Sequence, residues 1–178
     1  NKMKLIPEII EIIKAGKYND AKIELEKIIN SKKDNFHAYH VLGVVFAKLN
    51  NFDQAIHNLN LSVKINPKNK GAYFELGNIY RIKGNKIESK DNFIKALKID
   101  PNFIEAHISL AKINESENNF EETDRIYKNA LSINSEHLQL NKAYANFLIR
   151  LGEISKGLYF QYKYSGAIRF NKDILEIL

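Results

Sequence analysis

Two histidines one helical turn apart, His37 and His40, come closest in this sequence to a chemical site, because imidazoles at that spacing share a helix face and can form one edge of a metal centre. Two ligands are too few for a closed site, and the pair reads instead as surface or groove residues. Catalysis needs a nucleophile with a base, a metal, or tuned carboxylates in a cleft. The sequence contains no Gly-rich phosphate loop, no Gly-x-Ser-x-Gly elbow and no His-Glu-x-x-His. Cysteine is absent, which removes disulfides, thiolate metal sites and a cysteine nucleophile together. Asn60-Leu61-Ser62 and Asn114-Glu115-Ser116 match the glycosylation acceptor pattern, but both fall in helical segments of a chain without a secretion signal. The expectation is therefore a non-catalytic protein with no metal and no cofactor.

A chain of 178 residues with 44% hydrophobic content can build a folded core, which argues against disorder. No apolar run approaches the roughly 20 residues that span a bilayer, and the most apolar stretch is Val41 to Ala47. Asn1-Lys2-Met3-Lys4 carries charge without a following uninterrupted apolar block, so the reading is a soluble, cytoplasmic protein away from membranes. The net charge of +6 raises nucleic acid as a partner. Its lysines are dispersed, however: Lys64, Lys68 and Lys70 surround one turn, Arg81, Lys83, Lys86 and Lys90 the next, with acidic residues interleaved elsewhere. Nucleic-acid binding needs a clustered stripe with stacking aromatics or a reading motif, and a solvated basic face fits better.

The elements that must position any site repeat every 34 residues. Tyr39, Leu42, Gly43 and Phe46 recur as Tyr73, Leu76, Gly77 and Tyr80, then as His107, Leu110, Ala111 and Asn114, then as Asn141, Tyr144, Ala145 and Leu148. A second set, Ala55, Leu59, Ser62, Ile65 and Pro67, recurs as Ser89, Phe93, Ala96, Ile99 and Pro101, and as Thr123, Tyr127, Ala130, Ile133 and Ser135. Apolar and small residues at three- and four-residue steps mark a buried helix face, so each unit is two helices. The turn inside each unit carries Gly16, Asn50, Gly84, Asn118 and Gly152, residues that tolerate positive φ. Asn51, Asn85 and Asn119 then suit the cap of the second helix, with Glu122 completing a capping box. Asn66-Pro67 and Asp100-Pro101 stop the second helices, and Asn102 with Glu105 is expected to cap the next one.

This pattern resembles the tetratricopeptide repeat family, with units at 2–35, 36–69, 70–103, 104–137 and 138–171, the second and third matching best. The resemblance implies an all-α, right-handed α-solenoid of about five helix-turn-helix units forming a single domain over 1–178. The terminal units are degenerate, and 172–178 is expected to begin or join a C-terminal capping helix. The family implies a concave groove that binds a peptide or a helix of a partner protein. Carried over column by column, the groove holds His37, His40, Val41, Val44 and Lys48, then Phe74, Asn78 and Arg81, then Ile108 and Lys112, then Lys142 and Asn146. Phe74 stands where chaperone-binding members carry lysine, so a chaperone carboxylate clamp is not expected. His107, Asn114 and Asn141 put polar groups at a packing seam and are expected to hydrogen-bond one another or Tyr144. The chain's last repeat also resembles those that precede a transferase domain, which makes the recruiting arm of a larger enzyme beyond Leu178 the alternative function. Self-association through the apolar terminal units stays open.

Overall fold

The computed structural model describes residues 4–163, together with the backbone of 168–171 and 174–177. Among the described residues there are ten helices. They are α1 (Ile6–Lys14), α2 (Tyr18–Ser31), α3 (Phe36–Lys48), α4 (Phe52–Ile65), α5 (Lys70–Ile82), α6 (Lys86–Ile99), α7 (Ile104–Ser116), α8 (Phe120–Ile133), α9 (Leu138–Arg150) and α10 (Ile154–Tyr162). Of these, α3 to α9 fall where the two alternating column sets place them. The ten helices divide into two compact units, α1 to α6 before Pro101 and the remainder from Asn102.

The turn within each hairpin is set by one residue. Gly16, Asn50, Gly84, Asn118 and Gly152 all take positive φ, between 58° and 85°, the left-handed exit that the sequence requires of that column. The other joint is set by the chain leaving the second helix in extended conformation. Asn66 and Asp100 have φ near −130° directly before Pro67 and Pro101, because the proline ring crowds a helical neighbour.

Capping departs from expectation. Asn51 accepts from the Gln54 amide at 3.2 Å, as its position suggests. Asn85 and Asn119 make no such bond, and Glu122 pairs with Arg125 at 2.6 Å instead of closing a capping box. Phe103, not Asn102, occupies the N-cap of α7 and makes no side-chain cap bond. The other side-chain caps precede first helices: Asn35 accepts from the Ala38 amide at 3.1 Å, Asn69 from the Ala72 amide at 3.2 Å, and His137 Nδ1 from the Leu140 amide at 3.2 Å. A capping side chain helps most where the helix start is otherwise unsupported.

Asn69 does more than cap. Its amide Nδ2 donates to Ser62 Oγ at 2.9 Å, and that hydroxyl donates to the Phe36 carbonyl at 2.8 Å, so one polar chain ties α3, α4 and α5. Asn69→Ala is expected to lower stability by about 2 kcal/mol, the sum of a lost cap and a lost buried bond. Asn85→Ala, which breaks no cap bond, is expected to change it by less than about 0.5 kcal/mol in the same urea titration.

In the first unit the buried second-helix residues include Ala21, Leu25 and Ile28 on α2, Ala55, Leu59 and Ser62 on α4, and Ser89, Phe93 and Ala96 on α6. These are one column set, repeated. Gly43 and Gly77 let the first helix approach: a Cβ on Gly43 would meet Leu59 Cγ at 2.6 Å, and one on Gly77 would meet the Phe93 ring at 2.6 Å. The small residue thus faces a bulky side chain of its own hairpin more than a neighbouring backbone. In the second unit, the core joins Ala111, Ile126, Tyr127, Ala130, Leu140, Tyr144, Phe147 and Leu148. Its aromatic rings pack at centroid distances of 4.9 Å for Tyr144 and Phe160, 5.5 Å for Tyr127 and Tyr144, and 5.8 Å for Tyr127 and Phe147.

Two of the seam residues, Asn114 and Asn141, satisfy themselves differently from expectation. Asn114 donates to the Leu110 carbonyl, Asn141 donates to the carbonyls of Ser135 and His137, and the Tyr144 hydroxyl donates to Asp124 at 2.7 Å. Backbone acceptors one turn away are nearer than side chains on another helix. Asn141 Oδ1 is left buried without a partner. The expected capping helix is also replaced. Residues 168–171 (β1) and 174–177 (β2) form an antiparallel ribbon pairing Ile168 with Ile177 and Asn171 with Ile174, while 172, 173 and 178 lie outside the described residues. Isoleucine and phenylalanine in these short runs favour extended pairing.

Candidate functional site

In the first unit the predicted lining residues lie on α3 and α5. His37 is exposed and its ring lies tilted against Phe36, with ring centroids 3.9 Å apart. His40 is half-buried, and its ring lies over the start of α5, where a Cβ on Gly71 would meet His40 Cε1 at 2.8 Å. Gly71 therefore makes room for the imidazole. Burial, with His37 adding a smaller effect, pushes the His40 pKa down to about 4, so the ring is neutral at physiological pH. Among the described residues no three His, Cys, Asp or Glu side chains assemble a metal site.

Val41, Val44, Phe74 and Asn78 are half-buried, while Lys48 and Arg81 are exposed. Phe74 is backed by Phe93 at a centroid distance of 5.6 Å, so an apolar side chain left partly open rests on a core ring. Between the basic and amide groups sits Glu75. Burial raises its carboxyl above the ordinary carboxylate range, while Lys48 and a hydrogen bond with Asn78 pull it the other way. The face combines an apolar stripe with charge of both signs.

In the second unit the corresponding helices are α7 and α9. Lys112, Lys142 and Asn146 are exposed and line one hollow of about 360 Å³. Ile108 does not join an open patch: it is buried in the core with Ala143 and Phe147, because α9 covers that side of α7. The hollow also takes in Tyr127, Gln139 and Arg150, which the repeat columns do not flag as a site. Arg150 Nε is 2.6 Å from a Glu115 carboxylate oxygen. The one available signal is that tyrosine stands where Leu25, Leu59 and Phe93 stand elsewhere, adding a single polar atom to an apolar column.

Paired helices with left-handed inner turns, repeated at a fixed interval, define an α-solenoid protein. Residues 36–69 and 71–103 match the tetratricopeptide repeat family. No curated protein matches it in sequence. Solved structures share the fold: PilF of Pseudomonas aeruginosa, TM-score 0.81 with 15% identity over 93% of this chain and 76% of that one; MamA, 0.74 with 16% identity over 92% and 94%; and a thermophilic repeat protein of Thermus thermophilus, 0.72 with 16% identity over 90% of each chain. At such identities the likeness establishes the fold alone. Among the described residues, no helix is long and apolar enough to cross a membrane.

Proposed function

We propose that this protein is a non-catalytic scaffold that holds an extended peptide or a helix of another protein against its first helices. The observation that carries this reading is the face of α3 and α5. There Val41, Val44 and Phe74 stay partly open on a preformed surface, flanked by Lys48, Asn78 and Arg81. Apolar anchors ringed by polar groups are the ordinary composition of a peptide-binding surface. A rigid surface also spares the ordering entropy that a flexible one loses on binding. The recognised segment should carry apolar side chains for the valine and phenylalanine stripe and an acidic group for Arg81.

The reading is tested by selecting binding peptides from a random library on the full chain and measuring them on variants. Phe74→Ala and Arg81→Glu together are expected to weaken binding by about 2 kcal/mol or more, the loss typical of a central anchor. Binding that survives both changes but is lost on Ile87→Asp, a residue 82% exposed on α6, would move the interface to the second helices and refute the proposal.

A further inference from the structure

One residue of the α3 and α5 face is not explained by apolar anchoring. Where the repeat places Val41, Ser109 and Ala143 on other first helices, it places Glu75 on α5. The side chain is half-buried, and burial raises its carboxyl above the ordinary carboxylate range. Valine, serine or alanine at that place would avoid the cost of a half-buried charge. Among the described residues no cation stands within ion-pair distance of Glu75, and Lys48 on α3 attracts it only from farther off. Its hydrogen-bond partner is the side chain of Asn78, one turn along α5. A carboxylate accepts about four hydrogen bonds, so most of its capacity is unused. No oxygen of Glu75 is buried without a partner, and what Asn78 leaves over is therefore open to solvent.

The orientation of Asn78 follows from the same bond. A carboxylate only accepts, so the amide nitrogen of Asn78 faces Glu75 and its carbonyl oxygen is left over. That oxygen takes no hydrogen bond among the described residues and is not buried. A carboxylate and a neutral carbonyl thus stand as neighbouring acceptors on one open face. A guanidinium, with one charge spread over a planar fork of donors, can use both, whereas an ammonium is a point charge. Phe74, one turn before Asn78 and backed by Phe93, offers a half-buried ring to an apolar stem. Lys48 and Arg81, in the last turns of α3 and α5, disfavour a second basic residue beside the first.

We propose that Glu75 and Asn78 form a receptor for one arginine side chain of the partner segment, its guanidinium donating to the Glu75 carboxylate and to Asn78 Oδ1 while its stem lies along Phe74. This rests on the scaffold reading and adds its specificity. The segment carries a single arginine among apolar residues, together with the acidic group for Arg81, and a purely acidic segment does not suffice.

The test uses three heptapeptide libraries, alike in apolar and acidic content and differing only in arginine, lysine or citrulline at the centre, selected on the full chain. Binders are expected from the arginine library. Replacing the arginine of the tightest binder by citrulline, which keeps the shape and removes the charge, is expected to weaken binding by about tenfold or more, and lysine severalfold. Glu75→Gln is expected to cause the same loss with the arginine peptide and no further loss with the citrulline one. Its melting temperature is expected to stay equal or rise, because a half-buried charge is removed, and a merely structural glutamate would not give this combination. Equal affinity for the arginine and citrulline peptides, or equal affinity of wild type and Glu75→Gln for the arginine peptide, would overturn the receptor. Binders that are lost on Phe74→Ala with Arg81→Glu but come equally from all three libraries would overturn it and leave the scaffold reading standing. No binder from any library would overturn both.

Discussion

Phe93→Ala is expected to destabilise the protein by about 3 to 5 kcal/mol, because the ring is fully buried and no neighbour can refill its volume. Gly77→Ala is expected to cost about 1 to 3 kcal/mol for the opposite reason, since its new Cβ would sit 2.6 Å from Phe93 Cε1 in a position the ring cannot vacate. The two changes should not add. With the ring gone, the methyl at residue 77 enters the space it would otherwise contest, and the double variant is expected to be more stable than the sum of the singles predicts. Urea titration of the four proteins measures the coupling, and strict additivity would show that the close approach is not what fixes glycine at residue 77. The same ring supports Phe74, so Phe93→Ala should also weaken any ligand of the α3 and α5 face.

The second large effect is a loss of stability in mild acid traced to one residue. The folded pKa of His40 lies near 4, below the roughly 6.5 of a free imidazole, so the unfolded chain binds the proton more readily. Stability contributed by the neutral ring is complete above about pH 6.5 and declines as pH falls toward 4, in total on the order of 3 kcal/mol. Comparing wild type with His40→Gln isolates this contribution from the acid titration of carboxylates. The variant's urea midpoint is expected to fall less between pH 7 and 4 than that of the wild type. Parallel pH profiles would mean that the imidazole is solvated and not packed on α5.

What the sequence makes legible is whatever recurs. The five positive-φ positions, the buried second-helix column from Ala21 to Thr123, and the glycines opposite Leu59 and Phe93 each follow from a residue type repeated in phase. Local alternatives do not recur and are not legible. Asn119 and Asn85 carry the right side chain at the right place, yet their helices start without it, and Asn114 and Asn141 bond backbone carbonyls nearby in the chain. Hydrophobic periodicity also leaves the last segment ambiguous, since isoleucines suit a strand as well as a helix face. Of the residues lining the hollow, the lysines and Asn146 follow from family columns, whereas Tyr127, Gln139 and Arg150 do not, because only the packing of the helices around it brings them together.

The left-handed residues at 16, 50, 84, 118 and 152 are spaced by one constant interval. A ruler is built into the chain. Cutting at one mark and rejoining at the next removes a whole hairpin while keeping every remaining contact in phase, and copying the same span inserts one. Length in such a molecule is therefore a variable that recombination changes in whole steps, and the interior links are the interchangeable ones. The ribbon of 168–171 and 174–177, which follows no column of the repeat, is where the individuality of this chain is held.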